Sequence, residues 1–337
     1  AQLDEVGKVA SNTDHFFKAS DSEDSNAGAY VEGDNATAAG EAANAIGNGA
    51  SAIGSGANAI ADGATAVGYN SLAAGQNSAA FGQNAQATGP AAVAVGGNAV
   101  DENGDPLITN GGVPVDTGAT SAGVGGTAVG ASAQADGYAA SAFGVGAYAN
   151  GAQSTAVGAV ANALGDYSTA VGTQSAAEGA YTTALGTGAD AVADYSTALG
   201  SSSYALGGNS TAVGEFAWAL GENSTTLGEF ACATSDGSTA VGQNSYASAT
   251  DATAVGLNAY AGDENSVALG ANSETDRANS VSVGSAGAER QITNVAAGTE
   301  GTDAVNLDQL NEVADTSAAA TRYFKAGGAN DGSDDAV

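Results

Sequence analysis

A bulky apolar residue followed by glycine recurs sixteen times along the chain at one fixed phase of 14 residues. The first run starts at Ile53 and ends at Val95, and a second run continues from Val129 to Val283 without a slip. A solenoid needs such regularity because each coil must stack in register on the preceding one. The pattern therefore predicts one elongated repeat domain, although 337 residues could form two globular domains.

Composition limits the kind of solenoid. Glycine is abundant, with 51 residues, but there is no Gly-X-Y triplet and only three prolines, which excludes collagen. Alanine, serine and threonine dominate, and aromatic residues make up only 6% of the chain. The predicted core is therefore narrow.

The charge is strongly one-sided, with 37 acidic residues against six basic ones and a formal net charge of −31. Nucleic acids and anionic membranes are poor partners for such a field. Solubility of a long exposed rod explains the charge, and attraction of cationic ligands is the alternative. The lone cysteine, Cys232, permits no intrachain disulfide and is interpreted as a tolerated outward residue.

Side-chain alternation within each repeat separates the core from the surface. In a strand, Ser168 and Ala170 share one face while Thr169 and Val171 share the other. A second strand places Ala161 and its equivalents inward. Two strands lined with serine and alanine can face each other only in a very thin roll, so the Val/Leu column must lie outside.

A continuous apolar column on a soluble protein indicates an interface, and identical columns on identical chains are its natural partners. We therefore predict a homo-oligomer. The predicted interface residues are Val157, Val171, Leu185, Leu199, Val213, Leu227, Val241, Val255, Leu269 and Val283.

Aromatic residues recur at an outward position of the second strand. They are Tyr148, Tyr204, Trp218, Tyr246 and Tyr260, and they are the candidate ligand contacts. Stacking of aromatic rings from coil to coil is the structural interpretation of this column. An adhesive patch centred on Trp218 is the functional one, since Trp and Tyr are enriched at interface hot spots.

The two runs are separated by 34 residues, which equals one coil plus an insertion of 20. An Asn-Gly pair within it predicts a hairpin or loop that projects at about residues 99–118 without interrupting the stack. Asp101, Asn103 and Asp105 resemble the opening of a calcium loop, but its twelfth position is Gly112 instead of a glutamate. A polar turn is the preferred interpretation, and we predict no metal site and no cofactor.

The two ends of the chain are similar to each other. The segment beginning at Ala1 matches the segment beginning at Asp308 at an offset of 307 residues, and Phe16-Phe17-Lys18-Ala19 matches Tyr323-Phe324-Lys325-Ala326 at the same offset. Apolar residues near the N-terminus are spaced by three and four, which is typical of a short coiled-coil helix. Both ends are predicted to be connectors, with a further head following the second.

The repeats resemble the head of trimeric autotransporter adhesins of the YadA type. The motif at 265–270, Asn-Ser-Val-Ala-Leu-Gly, and that at 279–284, Asn-Ser-Val-Ser-Val-Gly, match the family's 14-residue signature, although most coils carry Thr at the first Val position. A segment from Arg290 to Leu310 resembles the family's neck. The resulting organisation is a connector at 1–27, a head at 28–285, a neck at 286–310 and a connector at 311–337.

The resemblance implies an all-β, left-handed parallel β-roll that forms a homotrimer on the bacterial cell surface, flanked by short helical coiled-coil connectors. It implies anchoring to the outer membrane through a C-terminal part absent here. It also implies attachment to extracellular-matrix proteins, to host or bacterial surfaces, or to other copies of the fibre.

Other functions remain as alternatives. A passive spacer in a surface fibre is the main rival to adhesion, and nothing in the sequence separates the two. An ice-binding solenoid is remote, because only one threonine column is present, and a calcium-binding nonapeptide roll lacks its glycine-rich motif. An enzyme is not expected, because the acids are scattered and the single histidine, His15, lies outside the coils.

Overall fold

The structure is a computed structural model, and it describes residues 27–107, 109–110, 113–114 and 118–323. The chain divides into two compact units between Ala286 and Gly287. The first is an all-β parallel solenoid of about 17 turns, and the second contains the C-terminal helix. The predicted all-β parallel solenoid is therefore confirmed, and the homotrimer stays a prediction. The apolar stripe predicted near the N-terminus and the connector beyond Tyr323 lie outside the described residues.

Each coil contributes one strand to each of two parallel sheets. Sheet I holds the Val/Leu-Gly motif and consists of Thr37–Ala39, Ser51–Ile53, Thr65–Val67, Ala79–Phe81, Val93–Val95, Thr127–Val129, Ser141–Phe143, Thr155–Val157, Thr169–Val171, Thr183–Leu185, Thr197–Leu199, Thr211–Val213, Thr225–Leu227, Thr239–Val241, Thr253–Val255, Val267–Leu269 and Val281–Ser282.

Sheet II has shorter strands of two residues. They are Tyr30–Val31, Asn44–Ala45, Asn58–Ala59, Leu72–Ala73, Gln86–Ala87, Ser121–Ala122, Gln134–Ala135, Tyr148–Ala149, Asn162–Ala163, Ala176–Ala177, Asp190–Ala191, Tyr204–Ala205, Trp218–Ala219, Cys232–Ala233, Tyr246–Ala247 and Tyr260–Ala261. We call the turn after a sheet I strand turn 1, and the turn after a sheet II strand turn 2.

Coils stack in a constant register. Val171 pairs with Leu185 in sheet I, and Tyr204 pairs with Trp218 in sheet II. Backbone hydrogen bonds join each coil to the next, as from the Thr169 N–H to the Thr182 carbonyl at 2.9 Å. Because almost every backbone group of a strand needs a partner, this ladder fixes the 14-residue period.

The core between the sheets is as thin as the alternation predicts. Every buried hydrophobic residue in the described part is alanine except Val160. The largest fully buried side chains there are three threonines, Thr120, Thr182 and Thr226. Ser168 and Ala170 point inward as predicted. Only side chains this small fit, so larger apolar residues are displaced to the outer faces.

The motif glycine is required by both conformation and space. Gly172 has a φ of +135°, which L residues rarely adopt, and a Cβ on it would lie 2.3 Å from the Gly186 carbonyl oxygen. The other special backbone position is a left-handed residue in each turn. Asn209 occupies this position in one turn, with a φ of 55°, and Tyr167 occupies it in another, with a φ of 59°. Asparagine adopts the left-handed conformation more readily than tyrosine does.

The insertion differs from its sequence-based outline by one residue. In sheet I, Val93 pairs with Thr127, an offset of 34. In sheet II, Ser121 pairs with Gln86 at an offset of 35 and with Gln134 at an offset of 13. Twenty-one residues are therefore inserted before Ser121, and the next turn is one residue shorter. Strands Thr109–Asn110 and Val113–Pro114 pair in antiparallel fashion within the insertion.

In the second unit, helix α1 spans Leu307–Tyr323. Asn306 precedes it and accepts a hydrogen bond from the Gln309 N–H at 3.2 Å, which satisfies one of the free amides of the first turn. Leu307, Leu310 and Val313 are 60–69% exposed on the isolated chain.

Candidate interaction surfaces

The outer face of sheet I carries a threonine column beside the predicted Val/Leu column. Val157 is 36% exposed and Leu227 is 51% exposed, and the remaining members are at least partly accessible. Val283 lies one residue beyond the last strand of the sheet, Val281–Ser282. No strand of sheet I contains an ionisable residue. The structure thus places nine of the ten predicted interface residues in strands of one sheet that contain no ionisable residue, and Val283 directly follows its last strand.

The outer face of sheet II holds the aromatic column, which is not a continuous array. Tyr204 and Trp218 form one pair, with ring centroids 5.6 Å apart, and Tyr246 and Tyr260 form another at the same separation. Cys232 lies between the two pairs. Tyr148 is separated from Tyr204 by the coils of Asn162, Ala176 and Asp190, so it does not join the others.

A second apolar column on sheet II was missed by the sequence reasoning. Its members lie one residue after a sheet II strand in some of the coils, and they include Ile46, Ile60, Leu164, Val192, Leu206 and Leu220. The seven-residue spacing of Ile46, Ile53 and Ile60 was the available signal, since alternate members of that series fall on opposite sheets. Leu206 and Leu220 lie in the same coils as Tyr204 and Trp218. We call these four residues the Trp218 patch.

Two carboxylates lie on the sheet II face in the coils that precede the Trp218 patch, Asp190 in the adjacent coil and Glu178 one coil further away. Asp190 is the register partner of Tyr204 in the preceding coil. Burial, and then the nearby charge of Glu178, raises the pKa of Asp190 above its ordinary value. One Asp190 oxygen, Oδ1, is buried without a hydrogen-bond partner. Burial and the charge of Asp136 likewise raise the pKa of Tyr148.

The aromatic residues of the turns form separate ladders. Tyr167, Tyr181 and Tyr195 stack nearly parallel in turn 2, with centroid separations of 4.9 and 5.2 Å. In turn 1, Phe216 stacks on Phe230 at 5.2 Å. Ring stacking between coils is thus realised most fully in the turns, outside the predicted ligand column.

Several acidic side chains have a structural role. Asp166 accepts a hydrogen bond from the Ala152 N–H at 2.8 Å, and Asp194 accepts one from the Ala180 N–H at the same distance. Each bond spans 14 residues and therefore joins adjacent coils. These carboxylates supply partners for turn amides that the ladder leaves open.

The predicted polar turn of the insertion has the geometry of a local cap. The Asp101 Oδ1 atom accepts hydrogen bonds from the backbone N–H groups of Asn103 at 2.8 Å and Asp105 at 2.9 Å. These bonds lower the pKa of Asp101. Across the described residues, no group of three or more His, Cys, Asp or Glu side chains is placed to hold a metal ion.

Burial raises the pKa of the Cys232 thiol, which lowers its thiolate fraction at neutral pH. Cys232 is partly buried in the aromatic column, in register with Trp218 and Tyr246.

None of the described helices is long and apolar enough to cross a membrane.

Comparison with known proteins adds family information to this geometry. A family model described as the YadA head domain repeat matches residues 32–57, 45–71, 73–99, 135–161, 149–175, 163–189, 177–203, 205–228, 233–259 and 261–286. A second model, the coiled stalk of trimeric autotransporter adhesin, matches residues 291–337.

Among solved structures, the chain is similar to the collagen-binding domain of the Yersinia adhesin YadA. The two sequences are 21% identical, the match covers 86% of this chain and 88% of that one, and the TM-score is 0.20. No curated protein sequence matches the chain.

Proposed function

Because the chain belongs to the YadA-type trimeric autotransporter adhesins, we propose that residues 28–285 form the head of a homotrimer that attaches bacteria to surfaces. Residues 286–310 form the neck in this proposal, and α1 continues into the stalk. Membership of the family implies an extracellular location on the cell surface and points to a non-enzymatic protein.

The observation that carries the trimer proposal is the contrast between the two outer faces. Sheet I has an apolar column and no ionisable residue in any of its strands, whereas the sheet II face carries Asp136, Glu178 and Asp190. Burying charged groups without partners is costly, so the uncharged face is the one suited to contact other subunits. Each Val or Leu is already partly buried in the single chain, and covering its remaining surface contributes about 25 cal/mol per Å² of apolar area.

Sheet II then remains on the outside of the trimer and forms the adhesive surface. Trp218 is 46% exposed on this face, and Tyr246 and Tyr260 are each 38% exposed. Tryptophan and tyrosine are residue types enriched at binding hot spots. We propose that these residues contact the target, whether an extracellular-matrix protein, a host or bacterial surface, or another copy of the fibre. Tyr148, which stands apart, contributes at most a separate contact.

A passive spacer is the second candidate, and the ring contacts favour it. Tyr204 touches Trp218, and Tyr246 touches Tyr260, so both pairs stabilise the stack even without a ligand. An ice-binding role is weakened by position, because the threonine column lies on sheet I, the face that the trimer proposal buries.

A binding screen separates adhesion from spacing. The chain, immobilised on beads, is presented with matrix proteins, mammalian cells, bacterial cells and beads that carry the same chain. Saturable capture of one target that soluble chain competes away supports adhesion. Absence of capture in all four arms, with the protein folded, contradicts adhesion and leaves the spacer.

A further inference from the structure

The Trp218 patch lies on a sheet face that no other element covers, and the charged side chains of the surrounding coils are all acidic. Residues 19–276 contain no lysine, arginine or histidine. The described ion pair of Arg277 with Asp276 therefore lies at the very end of that stretch. Glu178 and Asp190, in the two coils before the patch, therefore have no cationic side chain within residues 19–276 to pair with.

The chemistry of the patch selects its partner. Lysine and arginine are attracted to the faces of Trp and Tyr rings, and their aliphatic stems pack on apolar side chains. Trp218 and Tyr204 supply rings, Leu206 and Leu220 supply apolar surface, and Glu178 and Asp190 supply negative charge.

We infer that the Trp218 patch, together with Glu178 and Asp190, docks lysine or arginine side chains of an extended cationic polypeptide. This inference rests on the proposed adhesive role of sheet II and names the chemistry of its target. A second copy of the chain is a poor occupant, because its formal net charge is also −31 and its own sheet II face offers no cation.

The single tryptophan makes the test specific to this site. Trp218 is the only tryptophan of the chain, so its emission reports on the patch alone. The full chain is titrated with dodecalysine at physiological salt, and in parallel with dodecalysine acetylated at every side-chain amine. We expect a saturable change in emission with the first peptide and none with the second.

Charge-matched variants separate docking from general attraction to a polyanion. Glu178→Gln with Asp190→Asn removes two charges at the patch, and Glu102→Gln with Glu300→Gln removes two exposed charges elsewhere. The first pair should weaken dodecalysine binding roughly five- to tenfold, as expected for lost contacts of cation–π and ion-pair strength. The second pair should change it less than about twofold.

Three outcomes would overturn the inference. They are an emission change that acetylation leaves intact, equal weakening by the two charge-matched pairs, and a change produced by a neutral oligosaccharide such as maltohexaose but not by dodecalysine. A chain that captures a target in the bead screen yet ignores dodecalysine would remain an adhesin, and only the cationic partner would be wrong.

Discussion

The indole ring of Trp218 meets the ring of Tyr204 edge to face, with centroids 5.6 Å apart and planes inclined by 73°. The two residues are direct register partners, as are their neighbours along the column. Tyr181 and Tyr195 in turn 2 instead lie nearly parallel, at 2°. Because the contact is edge to face, much of the indole stays accessible, and Trp218 is 46% exposed.

Replacing Trp218 and Tyr204 by alanine should abolish target binding and lower stability only modestly. The ring pair contributes about 0.5–1.5 kcal/mol beyond the area it buries. Tyr181→Ala with Tyr195→Ala is the matched control, because it removes a stacked pair outside sheet II. Both double variants should lower the melting temperature similarly, and only the first should lose binding. Intact binding by the first variant would show that the column is structural.

Buried serines of the two turns should respond in opposite ways to alanine. Ser203 and Ser210 are both fully buried. The Ser203 hydroxyl donates to the Gly200 carbonyl at 3.0 Å, whereas the Ser210 hydroxyl has no partner. Ser203→Ala should cost about 1 kcal/mol, and Ser210→Ala should be neutral or stabilising. Denaturant unfolding of both variants measures this, and a cost for Ser210→Ala equal to that of Ser203→Ala would contradict it.

The sequence predicts the coils well because their core tolerates so little. Only alanine, serine and threonine fit between the sheets, so the alternation around Ala170 is visible without a structure. The second apolar column was missed because its repeat position is not apolar in every coil. Leu206 occupies this position in one coil, but Glu178 occupies it in another. The edge-to-face geometry of Trp218 depends on rotamers, which a repeat pattern does not encode.

Deleting 21 residues, 99–119, should leave stability almost unchanged. The deletion joins Asn98 to Thr120, whose buried side chain already bonds to the carbonyls of Gly97 at 3.0 Å and Gly130 at 2.7 Å. The sequence-based outline of the insertion, 99–118, would leave one extra residue in turn 1. Thermal melts of the two deletions compare them directly. A larger loss for the 21-residue deletion would mean that the insertion supports the stack.

Asp190→Asn should stabilise the protein at neutral pH. Because the folded-state pKa of Asp190 is raised above its ordinary value of 3.8, the folded state holds its proton more tightly than the unfolded state does. Stability is therefore lost as the pH rises from about this value through the folded pKa. The variant should melt higher than the parent at pH 7 and equally at pH 3. An equal melt at pH 7, with a difference only in acid, would contradict this assignment.

Sedimentation equilibrium of the full chain and two charge variants tests the central claim, that sheet I joins the subunits. Val213→Asp puts a charge on sheet I, and Val192→Asp puts the same charge on sheet II. The parent and Val192→Asp should sediment as trimers, whereas Val213→Asp should dissociate, since three charges buried together cost several kcal/mol. A folded monomeric parent at micromolar concentration, or dissociation by Val192→Asp alone, would contradict the assignment of sheet I as the interface.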